Sequence, residues 1–265
     1  MAMMAINGKK MNVIQMNPNG EKTIVMIHGL FTSLSVYYFH IAPRLAKKYH
    51  VVLYDLSGHG LSEPCEEELL TPKNMSRELI ALMGALKIKQ AHLVGYSFGG
   101  SVALFTACHH PNLVKRLTLI DMPDFNEEAF TQQLNNTTDF DFEQEIKSYL
   151  QSTTIPIPEQ VNQRTMARLK TMFGDGKLTK MLAASRQLLA DLPLTQLTTP
   201  TLLLYGKKSP YLATGKKLKR LIPHARLQIG KGDHNIPVQS TLWVYWKLRI
   251  FSNKRLKGYE QNETR

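Results

Sequence analysis

Cysteine is nearly missing from this chain: 265 residues hold two, Cys65 and Cys108. They lack metal-ligand spacing and build no disulfide framework, so neither a metal nor a disulfide scaffold is expected. Long apolar runs are missing as well. No window reaches transmembrane length, and the opening MAMMAINGKKM has no apolar stretch of signal-peptide length. A cytoplasmic protein with no transmembrane segment is the expectation. Acidic residues are scarce, 21 Asp and Glu against 33 Lys and Arg, which leaves a formal net charge of +12. No nucleic-acid recognition motif accompanies that charge, so nucleic acid is set aside as a partner. What remains is solubility, or attraction to an anionic partner: a membrane surface, a phosphate-bearing thioester or an acidic carrier protein.

What is present is an ordinary globular composition, 43% apolar and 20% charged, in a chain long enough to bury a full core. Short runs rich in Val, Ile and Leu recur at 23–29, 50–56, 91–97, 116–121, 201–206 and 225–230. Nearly continuous hydrophobicity suits strands covered by helices on both faces. Between them lie helical patterns near 36–48, 73–87, 98–110, 211–221 and 237–251, so the class is α/β with a mostly parallel, doubly wound sheet. KMNVIQM followed by Asn17-Pro18-Asn19-Gly20 predicts an antiparallel hairpin at the edge. The alternation breaks over 122–197, where helix-like segments occur without a convincing strand. That stretch reads as an all-helical cap with apolar faces, including Phe130, Met166, Met172 and Leu182, inserted into a core made of 1–121 and 198–265.

The stretch VGYSFGGS at 94–101 joins a strand to a helix through one serine. Gly95-Tyr96-Ser97-Phe98-Gly99 fits G-x-S-x-G, a turn that strains the serine backbone and exposes its hydroxyl at the carboxyl end of the sheet. With this pentapeptide in place the chain resembles the α/β-hydrolase superfamily, of the type with a serine nucleophile and a helical cap. Three further stretches carry the likeness: His28-Gly29-Leu30-Phe31, Asp55-Leu56-Ser57-Gly58-His59-Gly60-Leu61-Ser62, and Gly232-Asp233-His234-Asn235. The resemblance implies an oxyanion hole from the Leu30 and Phe98 amides, a structural turn at 55–62, and His234 as general base. His28 and His59 are expected to organise their loops, while His92, His109 and His110 belong to or flank core elements. Asp233 is expected to point away from the imidazole beside it.

The triad acid is the departure. Most members carry an aspartate after the TLLLYG-type strand, and this chain has Gly206-Lys207-Lys208-Ser209-Pro210 there. Some branches draw the acid from the preceding strand, which here ends Asp121-Met122-Pro123-Asp124. Asp121 is the first candidate, Asp124 the second, and a Ser–His pair without a carboxylate stays open. Serine at the elbow disfavours a dehalogenase or an epoxide hydrolase. The expected function is hydrolysis of an ester or thioester with a hydrophobic acyl group through acyl-Ser97, without metal or organic cofactor. Two alternatives remain: a lyase or cyclase using Ser97 and His234 for proton transfer, and a non-catalytic binding protein. A basic cluster at Lys207, Lys208, Lys216, Lys217, Lys219 and Arg220 is expected either to be solvated or to steer an anionic substrate.

Overall fold

A computed structural model describes residues 2–30, 32–34, 37–64, 70–126, 181, 183 and 185–253. Eight strands form one sheet: β1 (Ala2–Ile6), β2 (Lys9–Met16), β3 (Thr23–Ile27), β4 (His50–Tyr54), β5 (Ala91–Tyr96), β6 (Val114–Ile120), β7 (Thr201–Gly206) and β8 (Arg226–Gly230). Their order is β1-β2-β4-β3-β5-β6-β7-β8. The first two joints are antiparallel, and every joint from β4 to β8 is parallel.

The edge hairpin is not the one the sequence predicts. β1 and β2 pair through Asn7 and Gly8, both at positive φ (49° and 78°), the backbone of a tight hairpin turn. The turn at 17–20 instead leads from β2 to β3, and β2 pairs with β4. Gly20 is required there by crowding, since a Cβ would lie 2.1 Å from the His50 amide nitrogen.

Every residue of β4, β5 and β7 is buried, as strands with both faces covered must be. Helices α1 (Ala42–Ala46), α2 (Pro72–Ala85), α3 (Phe98–His109), α4 (Leu188–Asp191), α5 (Leu212–Leu221), α6 (Ile236–Gln239) and α7 (Thr241–Asn253) pack around the sheet. Met75 and Leu79 of α2, Val102 of α3 and Leu218 of α5 fill one core. Ala42 and Leu45 of α1, Ile236 of α6, and Val244 and Leu248 of α7 fill the other. Because β4 lies to one side of β3 and β5 to the other, the order reverses at β3, and that crevice is where open α/β sheets bind ligands. Most of the insertion expected over 122–197 lies outside the described residues, including Phe130, Met166, Met172 and Leu182. Where it leaves the sheet, Met122 and Phe125 are buried, and the Phe125 ring lies 6.2 Å from that of Phe98.

Candidate active site

Ser97 stands alone between β5, which ends at Tyr96, and α3, which begins at Phe98. Its backbone is at φ 51°, ψ −123°, a conformation that costs a non-glycine residue about 1–3 kcal/mol. The neighbours over-determine it. A Cβ on Gly95 would sit 2.3 Å from the Gly99 carbonyl oxygen, and one on Gly99 would sit 2.4 Å from those of Ile27 and His28. Helix, strand β5 and the end of β3 therefore touch backbone to backbone. The Ser97 amide donates to the Ile120 carbonyl at 2.9 Å, which ties the elbow to the end of β6.

Asp121 follows Ile120 and is likewise strained, at φ 49°. Its amide donates to the Leu204 carbonyl (2.8 Å), and its fully buried carboxylate is held from three sides. Oδ1 accepts the Gly206 N–H at 2.9 Å, while Oδ2 accepts the Ser209 hydroxyl at 2.5 Å and lies 2.8 Å from His234 Nδ1. The structure thus brings together Asp121 and His234. Ser209, at the position where the acid is usually found, donates to that carboxylate.

Asp124, the second candidate acid, is engaged elsewhere. Its buried carboxylate pairs with Lys217 Nζ at 2.6 Å, and its amide accepts no role at the imidazole but donates to Thr214 Oγ1 at 3.1 Å. This also removes Lys217 from the free charge of the basic cluster.

His234 is about one-third exposed, and its ring is braced by two tyrosines. Tyr96 stacks on it at 5.1 Å and donates its hydroxyl to the His234 carbonyl oxygen, while Tyr211 meets it edge-on at 4.8 Å. Tyr37 packs on Tyr96 and donates to Asn235 Oδ1. No motif flagged these tyrosines. The one available signal was position, since Tyr96 precedes the serine and Tyr211 closes the loop after β7. Asp233 turns away, as expected. Its carboxylate accepts from the Asn235 amide and from Gln239 Nε2. Partial burial raises the Asp233 pKa, but these hydrogen bonds and the neighbouring His234 outweigh it and leave it below the ordinary value.

The loop after β3 is fixed by His28. Its Nδ1–H donates to the Gly29 carbonyl at 2.7 Å, and Nε2 accepts the Leu56 amide at 3.0 Å. Complete burial pushes its pKa down to about 4, which favours the neutral ring, and these two hydrogen bonds select the tautomer. The turn at 55–62 is equally closed. The buried Asp55 carboxylate accepts from Asn12 Nδ2 and from the Leu34 and Leu61 amides, at 2.7–2.9 Å. His59 lies in this same turn, with Nδ1 3.1 Å from the Ser57 carbonyl and its ring 5.1 Å from that of His28. His92 is buried between Ser252 and Thr118, with its pKa lowered to about 3 by desolvation first and Arg116 second. His109 caps its own helix through the Phe105 carbonyl. Cys108 is partly buried, and desolvation pushes its thiol up to about 12, which disfavours the nucleophilic thiolate. Leu30 is half-buried beside Gly29, whose added Cβ would lie 3.0 Å from that of Ser97. Phe98 opens α3, where the first N–H groups have no carbonyl partner within the helix. Among the described residues no group of three or more His, Cys, Asp or Glu side chains is assembled that could hold a metal.

The Asp121–His234 pair and the strained Ser97 thus sit on one α/β sheet, Ser97 after β5 and Asp121 after the neighbouring β6. A sequence profile of the alpha/beta hydrolase fold family matches residues 22–241, and the chain belongs to that family. It is 25% identical over 236 residues to the uncharacterized hydrolase YugF of Bacillus subtilis, a match that spans 83% of this chain and 86% of that protein. It is 32% identical over 154 residues to the sn-1-specific diacylglycerol lipase ABHD11 of Danio rerio, spanning 57% of this chain and 44% of that protein. A solved hydrolase of Pseudomonas aeruginosa superposes with a TM-score of 0.77 at 22% identity, over 96% of this chain and 98% of the other.

Proposed function

We propose that this protein hydrolyses an ester or thioester with a hydrophobic acyl group through an acyl-Ser97 intermediate. The observation that carries the reading is the 2.8 Å contact between the buried Asp121 carboxylate and His234 Nδ1, one strand away from a serine held at φ 51°. A carboxylate on Nδ1 places the proton there and leaves Nε2 as the basic nitrogen. His234 Nε2 takes the Ser97 proton as Oγ adds to the substrate carbonyl carbon, and Asp121 stabilises the imidazolium that forms. The tetrahedral oxygen takes up the negative charge and is met by the Leu30 and Phe98 amides; one such donor is worth roughly 10²–10³ in rate. Collapse expels the alcohol or thiol, which receives the proton from His234. Water, deprotonated by the same imidazole, then adds to the acyl carbon, and collapse returns the proton to Ser97 as the acid leaves.

The apolar acyl group is supported by the start of the insertion. Met122 and Phe125 lie against the elbow helix rather than polar residues, and a Cβ on Gly100 would meet Met122 at 2.9 Å. The partial likeness to a diacylglycerol lipase agrees with such a substrate.

The test combines covalent labelling with turnover. A fluorophosphonate should label Ser97, and nitrophenyl esters and acyl thioesters of graded chain length should be hydrolysed, faster for longer chains. Ser97→Ala should abolish labelling and cut turnover by about 10³ or more with the melting temperature preserved. Residual activity within about tenfold of the parent would rule out the covalent route.

A further inference from the structure

Helix α7 turns an apolar line to solvent. Its core side is ordinary, with Val244, Leu248 and Phe251 buried against the sheet. Its outer side should then be polar, because a helix that is hydrophobic all round is normally covered. Instead Leu242, Trp246 and Ile250 are 58%, 50% and 54% exposed. Spaced four apart, they form one line along the middle of the solvent face, about 12 Å long. Cations flank it on both shoulders. Arg249 lies 5.0 Å over the Trp246 ring, and Lys247 lies 5.5 Å over that of Trp243. No acidic residue occurs in the helix, and the sequence continues with Lys254, Arg255 and Lys257.

We infer that α7 docks on an anionic lipid surface, with Leu242, Trp246 and Ile250 entering the headgroup boundary and the flanking cations pairing with lipid phosphates. Tryptophan and aliphatic side chains between basic residues are what an interfacial helix offers, and the net charge of +12 adds attraction over the whole molecule. The size of the patch favours a lipid surface over a second copy of the chain. Three half-exposed side chains offer on the order of 300 Å², against about 800 Å² that a stable interface takes from each partner. The inference is independent of the reaction proposed above, because the line lies outside the residues assigned to catalysis.

The experiment is co-sedimentation of the full chain with two kinds of vesicle, phosphatidylcholine alone and an equal mixture of phosphatidylcholine and phosphatidylglycerol. Binding is expected to the mixture only, and to weaken with added salt. Leu242→Glu with Trp246→Glu should lower the bound fraction about tenfold or more, with melting temperature and turnover of a soluble ester unchanged. Trp243→Phe leaves Trp246 as the sole tryptophan, whose emission should shift to the blue on mixed vesicles and be quenched by brominated lipid. Three results would each overturn the inference. One is no binding of the parent to the mixture; another is equal binding by the double variant. The third is a dimer in light scattering that the double variant dissolves, which would assign the line to a second copy.

Discussion

At Asp121 one side chain serves two neighbours that the usual arrangement keeps apart. The carboxylate meets His234 Nδ1 from the end of β6, and Ser209, in the loop after β7, donates to the same carboxylate. A serine hydroxyl there donates a hydrogen bond that holds the carboxylate in position. Asp121→Asn should keep the fold and lower kcat by roughly 10²–10⁴, since an amide favours the wrong imidazole tautomer. Ser209→Ala should cost less, about tenfold in kcat/KM, the equivalent of one hydrogen bond to a charged group. If Ser209→Ala proves as damaging as Asp121→Asn, the hydroxyl and not the carboxylate is the partner that matters. Adding Ser209→Asp to Asp121→Asn should restore part of the activity, because the new carboxylate enters from the loop after β7.

The elements around the serine are fixed by contact rather than by propensity. The first turn of α3 has no room for a Cβ at Gly99, where the carbonyl oxygens of Ile27 and His28 would lie 2.4 Å away. Gly99→Ala should therefore push β3 and its following loop away from α3, with a loss of about 2–4 kcal/mol in urea unfolding and of most activity. Gly84 supplies the contrast. It lies in α2 with nothing within 4 Å of an added Cβ, so Gly84→Ala should stabilise by about 0.5–1 kcal/mol through helix propensity alone. Equal responses at the two glycines would show that conformational freedom, and not crowding, sets their identity.

Across the whole molecule, two fully buried imidazoles contribute to how stability follows pH. His28 and His92 have folded pKa values lowered to about 4 and about 3 by burial, against an ordinary 6.5. The unfolded chain takes up a proton on each near pH 6.5, and the folded chain does so only below about 4. Between these values the unfolded state binds more protons, so stability falls as pH falls. At its steepest the loss approaches about 2.7 kcal/mol per pH unit for the pair. Urea unfolding from pH 7 to pH 5 should show this decline, and His92→Asn should remove about half of the slope. A flat profile would mean that both imidazoles reach protons in the folded state. Among the described residues no helix is long and apolar enough to cross a membrane.

Chemistry carried by consecutive residues was legible in the sequence. Gly95 to Gly99 announces its turn because the glycines and the serine must be neighbours for strand to pass into helix. The apolar runs announced six of the eight strands, most of them buried on both faces, and KMNVIQM announced β2. What lay beyond the sequence depends on distance in space. β1 carries three exposed residues and gives no run to recognise, and its hairpin turn is Asn7-Gly8, where 17–20 had offered an equally good signal. Asp121 ranks ahead of Asp124 in the sequence because it ends the strand, but the sequence leaves open which carboxylate, if any, meets the imidazole. Only the sheet order, which sets β6 beside β7 and so beside the His234 loop, brings the first to the imidazole and leaves the second to Lys217. Ser209, Tyr96 and Tyr211 acquired their parts in the same way. A hydrogen bond or a ring contact between residues as many as 138 positions apart has no local signature, and the fold alone decides which side chains meet.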